Sequence, residues 1–146
     1  MSSHILNAMN CKTKQAFDEL THEIIGAAIN VHKSLGPGLL ESIYHECMKI
    51  ELIDRGIQFN TELRIPIEFK GQFLETVLRC DLFVEESIVI ELKAVNELTP
   101  VNTAQLMTYM KLLHAPKGIL INFNCFNLFK EGQKTYVNSF FSQLPD

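Results

Sequence analysis

Apolar residues along the chain change their spacing from a helical to a strand period, and this change restricts the fold more than any other feature of the sequence. Over residues 13–34 they recur at steps of three and four, which predicts an amphipathic helix. The break Gly36-Pro37-Gly38 follows. Because proline is favoured just inside a helix start, a second helix is predicted from this break to about Arg55, with Gly56 as its stop.

The residues that follow predict three strands. Apolar and polar side chains alternate over residues 65–69, and Pro66 places this first strand at a sheet edge, because proline cannot donate to a ladder. The second and third strands are predicted over residues 73–84 and 88–95. The short acidic link Glu85-Glu86-Ser87 joins them as a hairpin.

A helix and a further strand complete the predicted fold. Thr99 and Pro100 suit the N-cap and the first position of a helix. The largely apolar residues 118–123 predict a strand buried on both faces, and residues 134–144 are compatible with either a strand or a helix. Strands joined first by turns and later by a helical crossover predict a mixed sheet, so we expect a mixed α/β fold with a central sheet flanked by helices.

Length and composition agree with one globular domain, which we place over residues 13–146 after an N-terminal extension of residues 1–12. The four cysteines form no CxxC pair, and no signal peptide or membrane helix is recognisable, so a cytoplasmic location is expected. The chain has 13 basic and 17 acidic residues, a net charge of −4. This counts against avid, sequence-blind DNA binding, so any phosphate must be met locally or through a metal.

Two charged residues interrupt the apolar third strand. Glu91 and Lys93 are two positions apart, so their side chains point to the same face, while Leu92 points into the core. Asp81, on the preceding strand, is within reach across the hairpin. An isolated pattern of this kind is usually a solvated surface feature. Here the run Ile88-Val89-Ile90 leads directly into it, which indicates an interior strand where charges need a partner or a metal.

Carboxylates and a lysine on one sheet face suit the hydrolysis of a phosphodiester. That reaction requires neutralisation of charge on the phosphate and an activated water. A hard cation such as Mg²⁺ or Mn²⁺ meets both needs and prefers oxygen ligands, to which the backbone carbonyl of Leu92 would add. A lysine beside the cation would stabilise the developing charge or orient the water.

Several short motifs together resemble one family of small bacterial and archaeal proteins. Residues 38–44, GLLESIY, match the GxxExxY signature that names this family. The further matching segments are residues 79–84 (RCDLFV), 89–95 (VIELKAV), 98–100 (LTP), 104–106 (AQL), Tyr109 and 118–123 (GILINF). The resemblance covers about residues 15–137. The family is classed within the PD-(D/E)XK nuclease superfamily, which implies an αβββαβ, restriction-endonuclease-like core.

The resemblance also implies a metal-dependent nuclease that acts on DNA or RNA. By this carry-over, Asp81 and Glu91 would bind the metal, and Lys93 would assist the attacking water. Glu41, from the GxxExxY helix, would add a carboxylate. The residue before Asp81 is Cys80, where the superfamily's motif has proline. That proline is often missing, so the departure changes little.

The remaining candidates also have structural explanations. Glu41 near a helix start is favoured by the helix dipole, and Tyr44, three residues on, suits packing. Gln105 matches a position that often lines such sites and shares a helix face with Tyr109, but a polar edge on an amphipathic helix explains this pair equally well. The five histidines show no HxH or HExxH spacing, which argues against zinc.

Two other functions stay open at this point. In the first, the chain is a module that binds a nucleic acid or a protein without cleaving it. In the second, it is a hydrolase of a small phosphate ester, a substrate for which the net charge of −4 poses less difficulty. The intact set of acids and lysine favours cleavage of a nucleic acid. An exposed edge strand in so small a sheet would allow a homodimer, and no membrane partner is expected.

Overall fold

Helices pack on both faces of a five-stranded sheet in the computed structural model, which describes residues 13–146. The predicted extension over residues 1–12 lies outside the described residues. The helices are α1 (Lys14–Leu35), α2 (Glu41–Asp54), α3 (Pro100–Leu112) and α4 (Ser139–Ser142). The strands are β1 (Phe59–Ile65), β2 (Glu68–Phe69), β3 (Gln72–Phe73), β4 (Leu78–Val84), β5 (Ile88–Lys93), β6 (Lys117–Asn122) and β7 (Gln133–Val137), with a π-helical turn at Leu128–Gly132. None of the described helices is long and apolar enough to cross a membrane.

The main sheet has the strand order β1-β4-β5-β6-β7, and β2 and β3 form a separate hairpin. Helix α3 crosses over between β5 and β6, which pair in parallel, while the other neighbouring strands are antiparallel. The predicted mixed sheet, the hairpin from β4 to β5 and the capped helix at Pro100 are therefore confirmed. Strands β1 and β7 form the edges, and pairing of an edge with a second copy stays a prediction.

Each face of the main sheet has its own apolar core. Helices α1 and α2 cover one face, and α3 covers the other. Strand β6 contributes to both, since Ile119 and Ile121 belong to the α1–α2 core and Leu120 to the α3 core. Every residue of β6 is buried, which confirms the prediction from its apolar sequence. Because both faces are covered, a polar side chain at the centre of the sheet lies between two apolar layers.

Helix α2 begins later than predicted. It starts at Glu41, because Gly36 and Gly38 adopt left-handed φ angles of 68° and 97° and Pro37 lies in the loop between them. Leu40 precedes the helix in an extended conformation and forms no side-chain cap. Glu41 thus occupies the first helical position, where unpaired N–H groups and the helix dipole favour a carboxylate.

The predicted bounds of the first two strands are wrong. Strand β1 ends at Ile65, immediately before Pro66, because proline has no N–H to continue the ladder. The alternating residues 65–69 therefore mostly belong to the start of the β2–β3 hairpin. The second predicted strand is divided, since residues 72–73 lie in that hairpin and β4 begins only at Leu78. Pro66 itself lies in no strand, and the edge strand of the main sheet is β1, which ends at the residue before it.

The side chains of β1 and β4 exchange faces near Glu62 and Asp81. Leu82 belongs to the α1–α2 core, whereas Cys80, two residues earlier, belongs to the α3 core, as does its cross-strand partner Leu63. Regular alternation would keep residues two apart on one face. Glu62, opposite Asp81, has a left-handed φ of 49°, which provides the extra rotation. The carboxylate-bearing position of β4 therefore lies where the regular pleat is broken.

Glu62→Gly is expected to raise the free energy of unfolding by about 1 kcal/mol, because glycine adopts a positive φ without the steric cost paid by glutamate. The matched control is Glu68→Gly in β2, whose φ is not left-handed, and it should lower stability by about 0.5–1 kcal/mol. Urea unfolding of both variants measures the difference. A loss for Glu62→Gly as large as that of the control would show that the exchange of faces does not depend on this residue.

Candidate active site

Strands β4 and β5 separate next to Glu91, and two carboxylates bridge the gap. The regular ladder ends at the pair Leu82 and Ile90. Beyond it, the Asp81 N–H donates to Glu91 Oε2 at 2.9 Å, and the Leu92 N–H donates to Asp81 Oδ2 at 2.8 Å. These reciprocal hydrogen bonds replace the backbone pairing that a continuous ladder would form, and they hold both carboxylates in position.

Burial and repulsion oppose ionisation of these two carboxyl groups. Glu91 is 4% exposed, and burial, followed by the negative charge of Asp81, raises its pKa to about 8. Burial also raises the pKa of Asp81, although the hydrogen bond from the Leu92 N–H opposes this shift. The site therefore gathers more negative charge than its surroundings neutralise.

Helix α2 brings two further polar residues to this position. Glu41 is solvent-accessible, yet partial burial and the nearby Asp81 raise its pKa, while Lys93 and His45 act to lower it. His45 lies one turn along α2 and also acts to lower the pKa of Asp81. Its Nε2 is 3.0 Å from Thr61 Oγ1 on β1. His45 is absent from the predicted site, although its i, i+4 spacing from Glu41 was a usable signal.

Lys93 completes the arrangement. It is half-buried at the end of β5, and its positive charge acts to lower the pKa of Glu41, Asp81 and Glu91, so it lies close to all three carboxylates. The structure thus brings together four residues that are up to 52 positions apart in the chain. We refer to Glu41, Asp81, Glu91 and Lys93 as the acid–lysine cluster.

Helix α3 borders the cluster with Tyr109. This residue is 3% exposed, and its pKa is raised by burial and then by the negative charge of Glu91. Gln105 lies one turn earlier at the exposed edge of α3 and donates from Nε2 to Tyr109 Oη at 3.0 Å. Tyr109 is therefore near the carboxylates, and Gln105 contacts the hydroxyl of this tyrosine.

Tyr44 lies outside the cluster and supports the loop that leads into it. Its side chain is fully buried, and its ring stacks on Phe123 with the ring centroids 4.5 Å apart. The hydroxyl donates to the Gly36 carbonyl and accepts from the Leu39 N–H at 3.2 Å. These contacts fix the turn immediately before Glu41, so Tyr44 acts on the site by positioning the start of α2.

The oxygen donors of the cluster suit a hard divalent cation. Within residues 13–146, the second carboxylate oxygens, Asp81 Oδ1 and Glu91 Oε1, accept no hydrogen bond. Mg²⁺ is commonly held by one or two carboxylates, with water completing its shell. No three His, Cys, Asp or Glu side chains in the described part of the chain are close enough to enclose a metal. A cation here would therefore need water ligands as well.

The side chain and the backbone of Leu92 have different surroundings. The side chain is buried in the α1–α2 core, as the strand alternation predicts. Its N–H is already used by Asp81. A metal contact from the Leu92 carbonyl stays a prediction.

A cavity of about 640 Å³ adjoins the cluster without containing any of its four residues. The loops before α2 and after β5 and β6 line it, and its walls include Gly38, Asn96, Asn122 and Phe126. Asn122 is the register partner of Lys93, so the cavity lies at the same end of β5 as the cluster. The cavity has room for a molecule larger than a free phosphate.

Comparisons with known proteins relate this geometry to a family. A sequence model of the PD-(D/E)XK nuclease superfamily matches residues 18–135, which include the whole acid–lysine cluster. One similar solved structure, the crystal structure of SSO0001, has 22% sequence identity and a TM-score of 0.48. The similarity covers 66% of this chain and 49% of that one, so the chain spans about half the length of the solved protein. No curated protein sequence matches the chain. The narrower GxxExxY assignment stays a prediction.

The raised pKa of Glu91 predicts a pH-dependent cost to folding in EDTA. The carboxyl group has an ordinary pKa of 4.5 and a folded value of about 8, so the folded protein binds the extra proton between these values. Stability should therefore fall as pH rises through that window. Glu91→Gln removes the ionisation, and thermal unfolding should show it to be more stable than wild type by a few kcal/mol at about pH 9.

At about pH 4 the two proteins should be nearly equal, because both side chains are then neutral. Glu46→Gln, at an exposed position of α2, is the matched control and should leave the pH dependence of wild type unchanged. A constant difference between wild type and Glu91→Gln from pH 4 to pH 9 would contradict the shift.

Proposed function

The chain belongs to the PD-(D/E)XK nuclease superfamily, and we propose that it is a metal-dependent nuclease that hydrolyses phosphodiester bonds in DNA or RNA. The proposal assigns the reaction to the acid–lysine cluster. Nucleases of this superfamily generally use divalent metals, and the oxygen donors of the cluster suit Mg²⁺ or Mn²⁺.

The observation that carries the proposal is a pair of crossed hydrogen bonds between β4 and β5, in which the Asp81 N–H donates to the Glu91 carboxylate and the Leu92 N–H donates to the Asp81 carboxylate. They hold a buried and a partly buried carboxyl group near each other; burial raises the pKa of both, and the negative charge of Asp81 further raises the pKa of Glu91. An ordinary ladder would connect β4 and β5 without this cost. Lys93 neutralises part of the charge, and a divalent cation would supply the rest.

Asp81 and Glu91 would hold the cation, with the Leu92 carbonyl as a further oxygen and with Glu41 as a third carboxylate that acts through a water ligand, since no three such side chains of residues 13–146 are close enough to enclose the ion. The bound cation would neutralise charge on the scissile phosphate and lower the pKa of a water molecule. The hydrogen bonds from the backbone N–H groups leave one oxygen of each strand carboxylate available for this role and restrict its rotation. Preorganisation of this kind avoids an entropic cost at the moment of reaction.

Lys93 would donate a hydrogen bond to the scissile phosphate or to the attacking water and would stabilise the negative charge that develops on the phosphate. Tyr109, with Gln105 bound to its hydroxyl, would border the substrate on the α3 side. Tyr44 would act indirectly, because it fixes the loop that positions Glu41.

Cleavage of a panel of single- and double-stranded DNA and RNA in Mg²⁺ or Mn²⁺ tests the proposal. Asp81→Asn and Lys93→Ala should each reduce the cleavage rate by about 100-fold or more, as expected for loss of a group that acts on the reacting phosphate. Asparagine retains an oxygen that accepts from the Leu92 N–H, so this variant should keep the fold.

Lys111→Ala, which removes an exposed lysine near the far end of α3, is the matched control and should cleave like wild type. EDTA should abolish cleavage. Activity that survives both site variants would identify a contaminating nuclease. Absence of cleavage by wild type, despite measured metal binding, would favour a binding module or hydrolysis of a small phosphate ester.

Calorimetric titration with Mn²⁺ tests the metal site independently of turnover. Wild type should bind, and Asp81→Asn and Glu91→Gln should each weaken binding by about tenfold or more, because a neutral amide oxygen replaces an anionic ligand. Lys93→Ala should retain or slightly strengthen binding, since it removes a competing positive charge. Equal affinity in wild type and both acid variants would place the metal elsewhere.

A further inference from the structure

Two arginines lie directly opposite each other near the open end of the β1–β4 pair. Arg64 and Arg79 are cross-strand partners, and both are exposed. Neither forms an ion pair with any residue from 13 to 146. Like charges at directly opposed positions destabilise a sheet, and an anion bound between the two guanidinium groups would offset this cost.

The exchange of faces at Glu62 determines where this arginine pair points. Leu63 and Cys80 face α3, so their neighbours Arg64 and Arg79 face the opposite side, on which α2 packs. Helix α2 presents Glu41 on that side. Arg79 is two residues before Asp81, or about 7 Å along the strand. The pair therefore lies beside the acid–lysine cluster and on the side from which Glu41 enters it.

The β2–β3 hairpin extends beyond the arginine pair and exposes two aromatic rings. Phe69 is 64% exposed and Phe73 is 71% exposed. Glu68 pairs with Phe73 across the hairpin, so the two rings point to opposite faces. Lys70 Nζ is 5.7 Å from the centre of the Phe69 ring. Exposed rings next to cationic side chains are the combination that binds unpaired bases and their phosphates.

The positively charged surface at this end of the sheet is small. Arg64, Lys70 and Arg79 are accompanied by Glu62, Glu68 and Glu75, all of them exposed, and the whole chain has a net charge of −4. A duplex presents phosphates over a wide surface and would meet these carboxylates, whereas one strand can pass along the arginine pair alone. Bases inside a duplex are also unavailable for stacking on phenylalanine.

We propose that Arg64 and Arg79 bind the phosphates of a single-stranded nucleic acid whose unpaired bases stack on the β2–β3 hairpin, and that this surface leads the strand to the acid–lysine cluster. The inference rests on the proposed nuclease function, because it assumes that the bound strand is the substrate of the acid–lysine cluster. Binding of the strand itself requires neither a metal nor cleavage. It makes a single strand, or the unpaired part of a partly paired molecule, the substrate class.

Fluorescence anisotropy in EDTA tests the arginine pair, with a labelled single-stranded DNA of about 16 nucleotides as the probe. The double variant Arg64→Gln/Arg79→Gln should weaken binding roughly tenfold or more near 0.1 M salt. It should also reduce the slope of log Kd against log salt by about 1.4, since each lost phosphate contact on a single strand contributes about 0.7.

The matched control is Lys49→Gln/Lys111→Gln, which removes the same charge from α2 and α3 away from the pair. It should change the slope by much less. Arg64→Lys/Arg79→Lys keeps both charges and should retain most of the wild-type slope. A loss of slope as large in the control as in the arginine variant would overturn the proposal, and so would an unchanged slope in the arginine variant.

The hairpin is tested with Phe69→Ala/Phe73→Ala and with the probe annealed to its complement. The phenylalanine variant should weaken single-strand binding by at least about fivefold with little change in slope, because stacking releases no counterions. Wild type should bind the duplex more weakly than the single strand. Tighter binding of the duplex, or full affinity without both rings, would contradict the single-strand assignment.

The results that would refute this inference differ from those that would refute the nuclease proposal. If wild type binds the single strand through the arginine pair but never cleaves, the inference stands and the nuclease proposal fails. If wild type cleaves and Arg64→Gln/Arg79→Gln cleaves the single strand with unchanged KM and kcat, the nuclease proposal stands and the inference fails.

Discussion

The crossed hydrogen bonds from the Asp81 N–H to Glu91 and from the Leu92 N–H to Asp81 are the interaction on which the rest of the site depends. They occur where the β4–β5 ladder stops, and each carboxylate accepts a backbone N–H that a regular ladder would pair with a carbonyl. The strands therefore remain connected although the pleat is broken. This arrangement buries the Glu91 carboxyl group within the sheet, where a polar group is tolerated when it is hydrogen-bonded. The left-handed Glu62 on the neighbouring strand accommodates the same break.

The surrounding fold keeps these charges together against their repulsion. The α1–α2 core fixes Glu41 and His45, because Tyr44 and Met48 on the inner face of α2 are fully buried. On the other side, the buried Tyr109 of α3 lies near Glu91, whose negative charge raises the pKa of the tyrosine. Low solvent access strengthens the repulsion between the acids and equally strengthens their attraction for a cation. The same burial that raises the pKa of Glu91 thus prepares the site for a positively charged ligand.

The net negative charge of the chain is compatible with membership of a nuclease superfamily when the positions of the individual charges are considered. A net charge of −4 disfavours a long, nonspecific contact with a duplex. A cation held by the strand carboxylates and a narrow arginine pair would supply positive charge only where a phosphate is bound and where a strand approaches. Both features lie on the part of β4 that remains paired with β1 but no longer pairs with β5. The acid–lysine cluster and the arginine pair therefore lie on either side of the same irregularity in β4.

The sequence by itself determined the order of the main elements, the mixed sheet and the common face of Glu91 and Lys93, because these follow from local periods and a short hairpin link. Its motifs also indicated Asp81 and Glu41. Only the tertiary structure decided that β1 ends at Ile65, that His45 joins the site and that Tyr44 supports a loop. It likewise decided the side on which Arg64 and Arg79 lie. Each of these depends on pairing between residues distant in the chain, and a single left-handed residue, Glu62, changes the face of every side chain beyond it.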